Sequence, residues 1–539
     1  MPQLDGGEVV NGTLPGRFDE AADRYPDQVI SLPSEQETLT YSELQDSSRR
    51  MAAGLAAAGA REGDAIGVLA PNCAAFLQGV LAAGRIGAAA CPMPLPMGMR
   101  DLAGYLRRTQ AIVDRGRVEY IVTVPKLRVV TDQLTGVYAF DAADLVRHDH
   151  APLAGARENQ TAVLQFTSGS TAAPKGVVLT HRNVVSCADS ISEAIKITEA
   201  DAWGSWLPLF HDMGLFGTVT GLFNGIPLNV WSPVTFVKSP AGWLNQFLAT
   251  GATICAMPNF GYDYLLATVP EDRELDMSHW RVAFNGAESI SVRSVSAFVD
   301  RFARAGFRPE TMTPAYGLAE ATLVATLPPL DRGPVYEWVD RAALAAAGKA
   351  FPVAEGSSAR GIVGLGRAVP GMRVRIAGGR PEGEVGEIEV TGAAVTSGYL
   401  GRPDGPFTAD GWLRTGDLGY LRDGELFFTG RSKEMITVRG ENVYPLDVEA
   451  IAQLVPGVYK GRCVAFVDDE RIIVCVETAL RDPAERQRLT DDIAGRCSVE
   501  LGLSGLDVKL VPARTIPRTT SGKLQRLGMR ELYKKQEAS

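Results

Sequence analysis

The chain has 539 residues, 45% of them hydrophobic and 22% charged, an ordinary globular mix that excludes disordered, collagen-like and disulfide-dense classes. At about 150 residues per domain, this length predicts three or four structural units. A formal charge of −9 argues against whole-surface attraction to nucleic acid.

In chain order, the start (Met1 to Asp5) has no basic region and no apolar core, so it does not read as a secretory signal. Thr40-Tyr41-Ser42-Glu43 is a capping box that predicts a helix through Ala58, stopped by Gly59. A buried strand over 65–70, a helix over 74–86 and a strand over 88–91 follow. The apolar stretch from 79 to 99 is broken by Arg85, Pro92, Pro94 and Pro96, so it predicts helix, strand and loop and no membrane span. Further strands are predicted over 161–166 and 280–285, with helices from Asn183 onward and over 292–305. Helices alternating with apolar strands predict an α/β fold with parallel sheets. From 364 to 430 short strands and glycine turns predict a β-rich subdomain, and a compact α/β pattern resumes at Arg431. The main domain boundary is therefore expected near residues 430–433. Seven scattered cysteines without a CxxC read as reduced buried thiols. His148 and His150 have no third ligand nearby, so no metal site is expected there.

Thr167-Ser168-Gly169-Ser170-Thr171-Ala172-Ala173-Pro174-Lys175-Gly176 directly follows a predicted core strand. Glycines admit close backbone approach, hydroxyls and N–H groups donate, and a lysine supplies charge, which together suit a polyphosphate. It is not a Walker A loop, because Pro174 rather than glycine precedes Lys175. Gly364-Leu365-Gly366 has Val369 where a dinucleotide fingerprint needs glycine, and there is no GxSxG elbow.

This loop resembles the phosphate-loop signature of the adenylate-forming superfamily of acyl-CoA synthetases, luciferases and adenylation domains. Further motifs of that superfamily follow in its order: Trp206-Leu207-Pro208-Leu209-Phe210-His211-Asp212-Met213-Gly214, Phe284-Asn285-Gly286-Ala287-Glu288, and Ala315-Tyr316-Gly317-Leu318-Ala319-Glu320. Arg414-Thr415-Gly416-Asp417, Gly430-Arg431-Ser432-Lys433 and Pro517-Arg518-Thr519-Thr520-Ser521-Gly522-Lys523 complete the set. The resemblance implies a large N-terminal domain over 1–430, built of two βα sheets plus a β-rich subdomain over about 364–430. A small mobile α/β C-terminal domain over 431–539 would follow.

It also implies roles, with ATP and Mg²⁺ as cofactors. Thr167, Ser168, Gly169, Ser170, Thr171 and Lys175 would hold the phosphates. Tyr316, between Ala315 and Gly317, would stack on adenine, with the Gly286-Ala287-Glu288 backbone on the other side of the base. Asp417 would accept the ribose hydroxyls, with Arg431 nearby. Glu320 and Thr171 would hold Mg²⁺, a hard cation suited to oxygen ligands. Lys523, Glu320 and His211 are the implied catalytic residues, and Lys523 would neutralise charge at the forming acyl phosphate. The substrate carboxylate is itself the nucleophile, so catalysis reduces to positioning and electrostatics. Lys433 falls at the hinge position of the small domain. A pocket of His211, Gly214, Phe216, Phe260, Gly261 and Tyr262 would hold the acyl chain.

Within the superfamily the central motifs resemble fatty-acyl-AMP ligases, as does the segment over about 327–367, where that subgroup carries an insertion associated with disfavouring CoA. This implies a cytoplasmic ligase, of the kind used in natural-product assembly, that loads a fatty or related carboxylic acid onto an acyl carrier protein acting in trans. Gly440-Glu441-Asn442-Val443-Tyr444-Pro445 instead resembles acyl-CoA synthetases, so CoA stands as the alternative acceptor. From Asp507 to Ser539 eight basic residues face three acidic ones, an excess expected to help dock an acidic carrier.

Overall fold

Thr40 and Glu43 cap each other as expected. The Thr40 hydroxyl accepts from the Glu43 N–H at 3.2 Å and the Glu43 carboxylate from the Thr40 N–H at 2.7 Å, opening the helix Tyr41–Ala57. The computed structural model describes residues 12–96, 102–153, 155–167, 174–356, 358–402, 405–438, 441–469, 471–503, 505–519 and 522–537. Its strands follow the expected α/β alternation, with two antiparallel edges. After β1 (Val29–Leu32) and β2 (Glu37–Thr40) come β3 (Ala65–Leu69), β4 (Ala89–Pro92), β5 (Val118–Thr123), β6 (Tyr138–Asp141), β7 (Thr161–Thr167) and β8 (Lys175–Thr180). These last six form one sheet in the order β6-β5-β3-β4-β7-β8, parallel except for the β7–β8 pair. Strands β9 (Trp203–Ser205), β10 (Leu228–Val230), β11 (Ile254–Met257), β12 (Val282–Asn285) and β13 (Met312–Pro314) join the first two in a seven-stranded sheet. Its order is β13-β12-β11-β9-β10-β1-β2, parallel up to the last strand.

Two boundaries shift for local reasons. The helix His181–Ile195 starts two residues early because Thr180, not Asn183, is its cap, and Asn183 reciprocates as the other half of a capping box. The helix Val292–Phe302 is shorter than expected because its last turn tightens over Ala303–Ala305, ending at Gly306 with φ of 88°. All seven cysteines are buried free thiols, and burial pushes Cys73 and Cys91 up to about 12.

The chain divides into two compact units. The first takes the described residues up to Pro334, with 366–374 and 390–413. The second takes Val335–Leu365, Arg375–Glu389 and the described residues from Arg414 onward. This differs from a single cut at 430–433, and the core of the second unit gives the reason. Val339, Leu344 and Ile362, from the hairpin of β16 (Tyr336–Asp340) and β17 (Ala359–Val363) and the helix between, pack with Tyr420, Phe427 and Tyr444. The segment resembling an insertion is thus part of that core. Strands β14 (Tyr316–Gly317), β15 (Val324–Leu327) and β18 (Arg367–Ala368) form a small sheet of the first unit. The second unit holds most of the sheet β19 (Met372–Ile376), β20 (Gly386–Gly392), β21 (Leu413–Arg422) and β22 (Glu425–Arg431). Further on lie the pair β23 (Ile436–Val438) and β24 (Glu441–Val443), and the sheet β25 (Val458–Asp468), β26 (Arg471–Thr478) and β27 (Asp507–Pro512).

In the first unit, Asp19 and Arg85 form a buried bidentate pair at 2.6 and 2.8 Å. Burial alone would raise the Asp19 pKa, but hydrogen bonds and charge from Arg85, aided by Arg49, hold it below the usual value. His181, fully buried, accepts the Leu14 N–H through Nδ1 at 3.1 Å, while its Nε2 has no partner among the described residues. Burial pushes this imidazole down to about 4. An unfolded histidine binds its proton near ~6.5, so stability is expected to fall as pH drops from about 6.5 to about 4, by a few kcal/mol. His181→Gln keeps an acceptor for Leu14 and cannot titrate. Melting temperatures across that range should flatten in the variant relative to the native chain.

Candidate active site

In the first unit β9, β11, β12 and β13 run parallel, and their C-terminal ends release the motif segments along one sheet edge, where open α/β sheets bind ligands. Met257 pairs with Asn285 and Asn285 with Pro314. The chain therefore leaves these strands side by side as Asn259-Phe260-Gly261, Gly286-Ala287-Glu288 and Ala315-Tyr316-Gly317. Close approach explains the glycines. A Cβ on Gly286 would lie 3.2 Å from the Ala315 carbonyl oxygen, and one on Gly317 would lie 1.7 Å from that of Leu323. Ala287 sits at φ of 66°, a left-handed conformation that costs a side-chain-bearing residue energy and often marks a binding segment. The Glu288 carboxylate turns back to accept the Phe260 N–H at 2.7 Å, which joins the Gly286 segment to the helix Asn259–Thr268. This edge is a backbone-lined cradle with the buried Tyr316 beside it, where a base is expected to stack.

The phosphate loop bridges the antiparallel strands β7 and β8, whose register sets Thr167 opposite Lys175. Ser168, Gly169, Ser170 and Thr171, including the Thr171 expected to meet a metal, lie outside the described residues. Lys175 stands with Nζ 5.4 Å from the centre of the Tyr399 ring. The Tyr399 hydroxyl donates to Glu320 Oε1 at 2.6 Å. Burial and the adjacent Glu320 push the Tyr399 phenol well above its ordinary range, so it stays a donor. Backbone bonds from Leu400 N–H to Gly176 and from Val178 N–H to Gly398 lash this segment to β8. One phosphate-loop lysine, one tyrosine and one carboxylate thus form a single cluster, with Glu320 Oε1 committed to the tyrosine. A lone carboxylate suits Mg²⁺, which takes one or two protein carboxylates and completes its shell with phosphate and water oxygens. Among the described residues no group of three or more His, Cys, Asp or Glu could hold a metal by itself.

The expected acyl pocket is only partly brought together. His211 is the N-cap residue of the helix Asp212–Phe223, half-buried, with its ring 4.7 Å from that of Phe210. Phe260 is half-buried beside Trp206, which stacks on Phe236 at 3.9 Å. Gly214 and Gly261 are spacers: a Cβ would lie 2.2 Å from the Pro208 carbonyl oxygen in one case and 3.0 Å from Met257 Sδ in the other. Phe216 and Tyr262 are wholly in the core, Tyr262 with its hydroxyl on the Phe284 carbonyl and its ring against Phe298. They pack the sheet.

In the second unit Asp417 on β21 faces Arg431 on β22, with Arg431 Nε 3.1 Å from Asp417 Oδ1. Asp417 is buried and Arg431 exposed. Glu387 fixes the preceding turn by accepting the Gly416 N–H at 2.9 Å and pairing with Arg414. Lys433 is exposed in the turn Ser432–Glu434. Lys523 ends a tight hairpin in which Thr519 donates to the Lys523 carbonyl at 2.8 Å and Arg518 to the Gly522 carbonyl at 3.0 Å. The basic tail is largely committed within the unit. Arg526 is half-buried between Glu434 and Glu449, Lys509 pairs with Asp507 at 3.1 Å, and Lys534 with Asp468 at 3.3 Å. The net excess counted in the sequence is therefore a poor measure of a docking face.

Sequence reading missed three residues of the first unit. Tyr399 lies in a plain Ser-Gly-Tyr-Leu run, where only its place after the β-rich turn could have flagged it. Gln165, buried on β7 just before the phosphate loop, donates to the Phe210 carbonyl at 3.0 Å. Asn72 donates to the carbonyls of Leu207 and Trp231 and accepts the Leu209 N–H, pinning the segment ahead of His211. Neither of the last two sits in a motif.

Removing the tyrosine hydroxyl tests the metal reading. A hydrogen bond to a charged group is worth about 1.5–3 kcal/mol, so Tyr399→Phe is expected to raise the Mg²⁺ needed for half-maximal ATP–pyrophosphate exchange by about tenfold. Mn²⁺ binding followed by electron paramagnetic resonance checks the same shift without turnover.

Lys175, Tyr399 and Glu320 thus lie in the same unit as the Gly286 and Tyr316 segments. The chain matches the family of AMP-binding enzymes over residues 18–400 and belongs to that family, whose adenylate-forming ligases use ATP. Within it the relatives include fatty-acyl-AMP ligases, alongside a putative acyl-CoA synthetase of Caulobacter vibrioides at 31% identity, covering 92% of this chain and 90% of that one. The chain is 33% identical to the medium-chain-fatty-acid–acyl-carrier-protein ligase JamA of Moorena producens, covering 92% of this chain and 89% of that one. It is 31% identical to a long-chain-fatty-acid–AMP ligase of Mycolicibacterium smegmatis, covering 96% and 92%. A solved structure from a study of fatty acyl-adenylate ligases of E. coli and L. pneumophila superposes with a TM-score of 0.91, at 33% identity and 98% coverage of both chains. No helix among the described residues is long and apolar enough to cross a membrane.

Proposed function

We propose that the protein activates a fatty or related carboxylic acid with ATP, releasing pyrophosphate, and passes the acyl group from acyl-AMP to the phosphopantetheine thiol of a separate acyl carrier protein. The observation that carries the first half is the cluster of Lys175, Tyr399 and Glu320 in the same unit as the Gly286 and Tyr316 cradle. Substrate carboxylate oxygen attacks the α-phosphorus and the bond to pyrophosphate breaks. The phosphate loop and Lys175 hold the leaving phosphates, Asp417 with Arg431 orients the ribose, and Lys523 offsets charge on the reacting carboxylate and α-phosphate. Mg²⁺, held by Glu320 and a phosphate-loop hydroxyl, supplies further neutralisation of the phosphates when bound.

The acceptor reading rests on the relative whose name carries an acyl-carrier-protein acceptor and on the 335–365 segment built into the second unit. The segment from Glu441 to Pro445 favours CoA as the second reading. Incubation with ATP, Mg²⁺ and acids of graded length, then a chase with CoA or a phosphopantetheinylated carrier, separates the two by mass spectrometry. Acyl-AMP is expected to persist with CoA and to discharge onto carrier. Rapid acyl-CoA formation would assign the CoA reading instead.

A further inference from the structure

We propose that Arg526 is a positioning residue for Lys523: its guanidinium, clamped by Glu434 and Glu449, holds the lysine hairpin at a fixed place in the second unit. The inference rests on the adenylating role given to Lys523 above. The hairpin's internal bonds, Thr519 to Lys523 and Arg518 to Gly522, give it its shape, and Leu524 beside the lysine packs with Ile516 on Val464, Phe466 and Ile473. Carboxylates on either side of it add polar anchors to the body. Upstream, Glu477, fully buried, accepts the Ile516 N–H at 3.0 Å. Downstream, three residues past Lys523, Arg526 grips Glu449 with two parallel bonds of 2.8 and 2.7 Å and reaches Glu434 with its remaining terminal nitrogen.

The partners give the clamp its reach. Glu449 belongs to the helix Pro445–Ala452 and also accepts the Ala465 N–H of β25 at 2.8 Å. Glu434 ends the turn that carries Lys433. Arg431, at the start of that turn, is tied to Asp417. One guanidinium therefore joins the lysine hairpin, a helix, a strand and the turn beside the nucleotide-facing ion pair. The planar fork of arginine can hold both carboxylates at once, whereas lysine offers a point charge that cannot reproduce the bidentate grip. A flexible lysine misplaced by about 1 Å loses much of its effect on a reacting centre, on the order of 10²-fold.

The test separates positioning from plain stability. Arg526→Lys is expected to lower kcat of ATP–pyrophosphate exchange by about 10- to 10²-fold with KM for ATP changed less than threefold. Transfer from synthetic acyl adenylate to the thiol acceptor, where pyrophosphate has already left, should stay within twofold of the native chain. Lys523→Ala with Arg526→Lys should be no slower than Lys523→Ala alone, because the second change acts only through the lysine. If Arg526→Lys does not fold, Glu434→Gln keeps the bidentate grip on Glu449 and is expected to lower exchange kcat about threefold or more without moving the melting temperature. Exchange unchanged in the folded variants, an equal fall in both half-reactions, or multiplying effects in the double variant would overturn the role. Native protein that forms no adenylate with any acid would overturn the functional reading itself, and this inference with it.

Discussion

Replacing Lys523 by alanine is expected to slow adenylate formation by at least ~10²-fold, the scale of losing one preorganised electrostatic donor. In the proposed mechanism no protein group is the nucleophile, so the enzyme's contribution would be to hold two anions together, the carboxylate and the α-phosphate, while charge shifts toward pyrophosphate. Coulomb repulsion between them is the main obstacle, and a cation held beside both is worth most where water is excluded. Pyrophosphate exchange at saturating acid and ATP reads this step alone. KM for ATP should move little, because the groups proposed to bind ATP, the phosphate loop, Lys175 and Asp417, do not include Lys523. A Lys523→Ala protein exchanging within tenfold of the native rate would remove the lysine from the reaction.

Arg360→Ala is expected to cost the second unit about 3–5 kcal/mol, the usual penalty for leaving one buried charge without its partner. Arg360 Nε lies 3.0 Å from Asp447 Oδ1, Nη2 donates to the Thr429 carbonyl at 2.7 Å, and the guanidinium covers the Tyr444 ring at 4.4 Å. Both side chains are about a tenth exposed, at 9% and 11%, so solvent cannot replace the lost partner. Burial raises the Asp447 pKa above its ordinary value even with Arg360 and Arg341 pulling it down. A carboxyl whose folded pKa exceeds its unfolded one loses stability as pH rises through the folded value. Removing Arg360 raises the folded value further, so the deficit should be smaller at pH 5 than at pH 8. Denaturant unfolding at both pH values checks it, with hydrogen exchange of the helix Pro445–Ala452 as a local readout. A loss below about 1 kcal/mol, or one independent of pH, would mean water reaches the pair.

The runs the sequence singled out are contiguous ones; the structure sets the Gly286 and Tyr316 runs side by side and Asp417 against Arg431, while Ser168 to Thr171 lie outside the described residues. The strands that present them were legible too, because a fully buried parallel strand shows as an apolar run bounded by turns. What escaped were contacts between distant positions. Tyr399 meets Glu320 across 79 residues, Gln165 meets Phe210 across 45, and Asn72 reaches Leu207 across 135. No local pattern encodes such pairs. The basic tail misled for the same reason, since counting Arg526 as surface charge takes no account of the two carboxylates that pair with it. Likewise the stretch over 327–367 resembles an inserted segment in the sequence and gives no sign there of how it packs. Its role in a core emerges only once Val339, Leu344 and Ile362 are seen with Tyr420, Phe427 and Tyr444.

That shared core has a consequence for biosynthesis. On the ribosome, the strands of the two parallel sheets are all synthesised by Pro314, so the first unit can begin to close early. The hairpin of β16 and β17 cannot. Its apolar face waits until Tyr444 is made about 80 residues later, roughly 4–16 s at ordinary elongation rates. For that interval Val339, Leu344 and Ile362 are unsatisfied hydrophobic surface on a nascent chain. Slow translation between residues 363 and 444 would lengthen the window for chaperone capture or aggregation, making that stretch sensitive to codon choice when the protein is expressed.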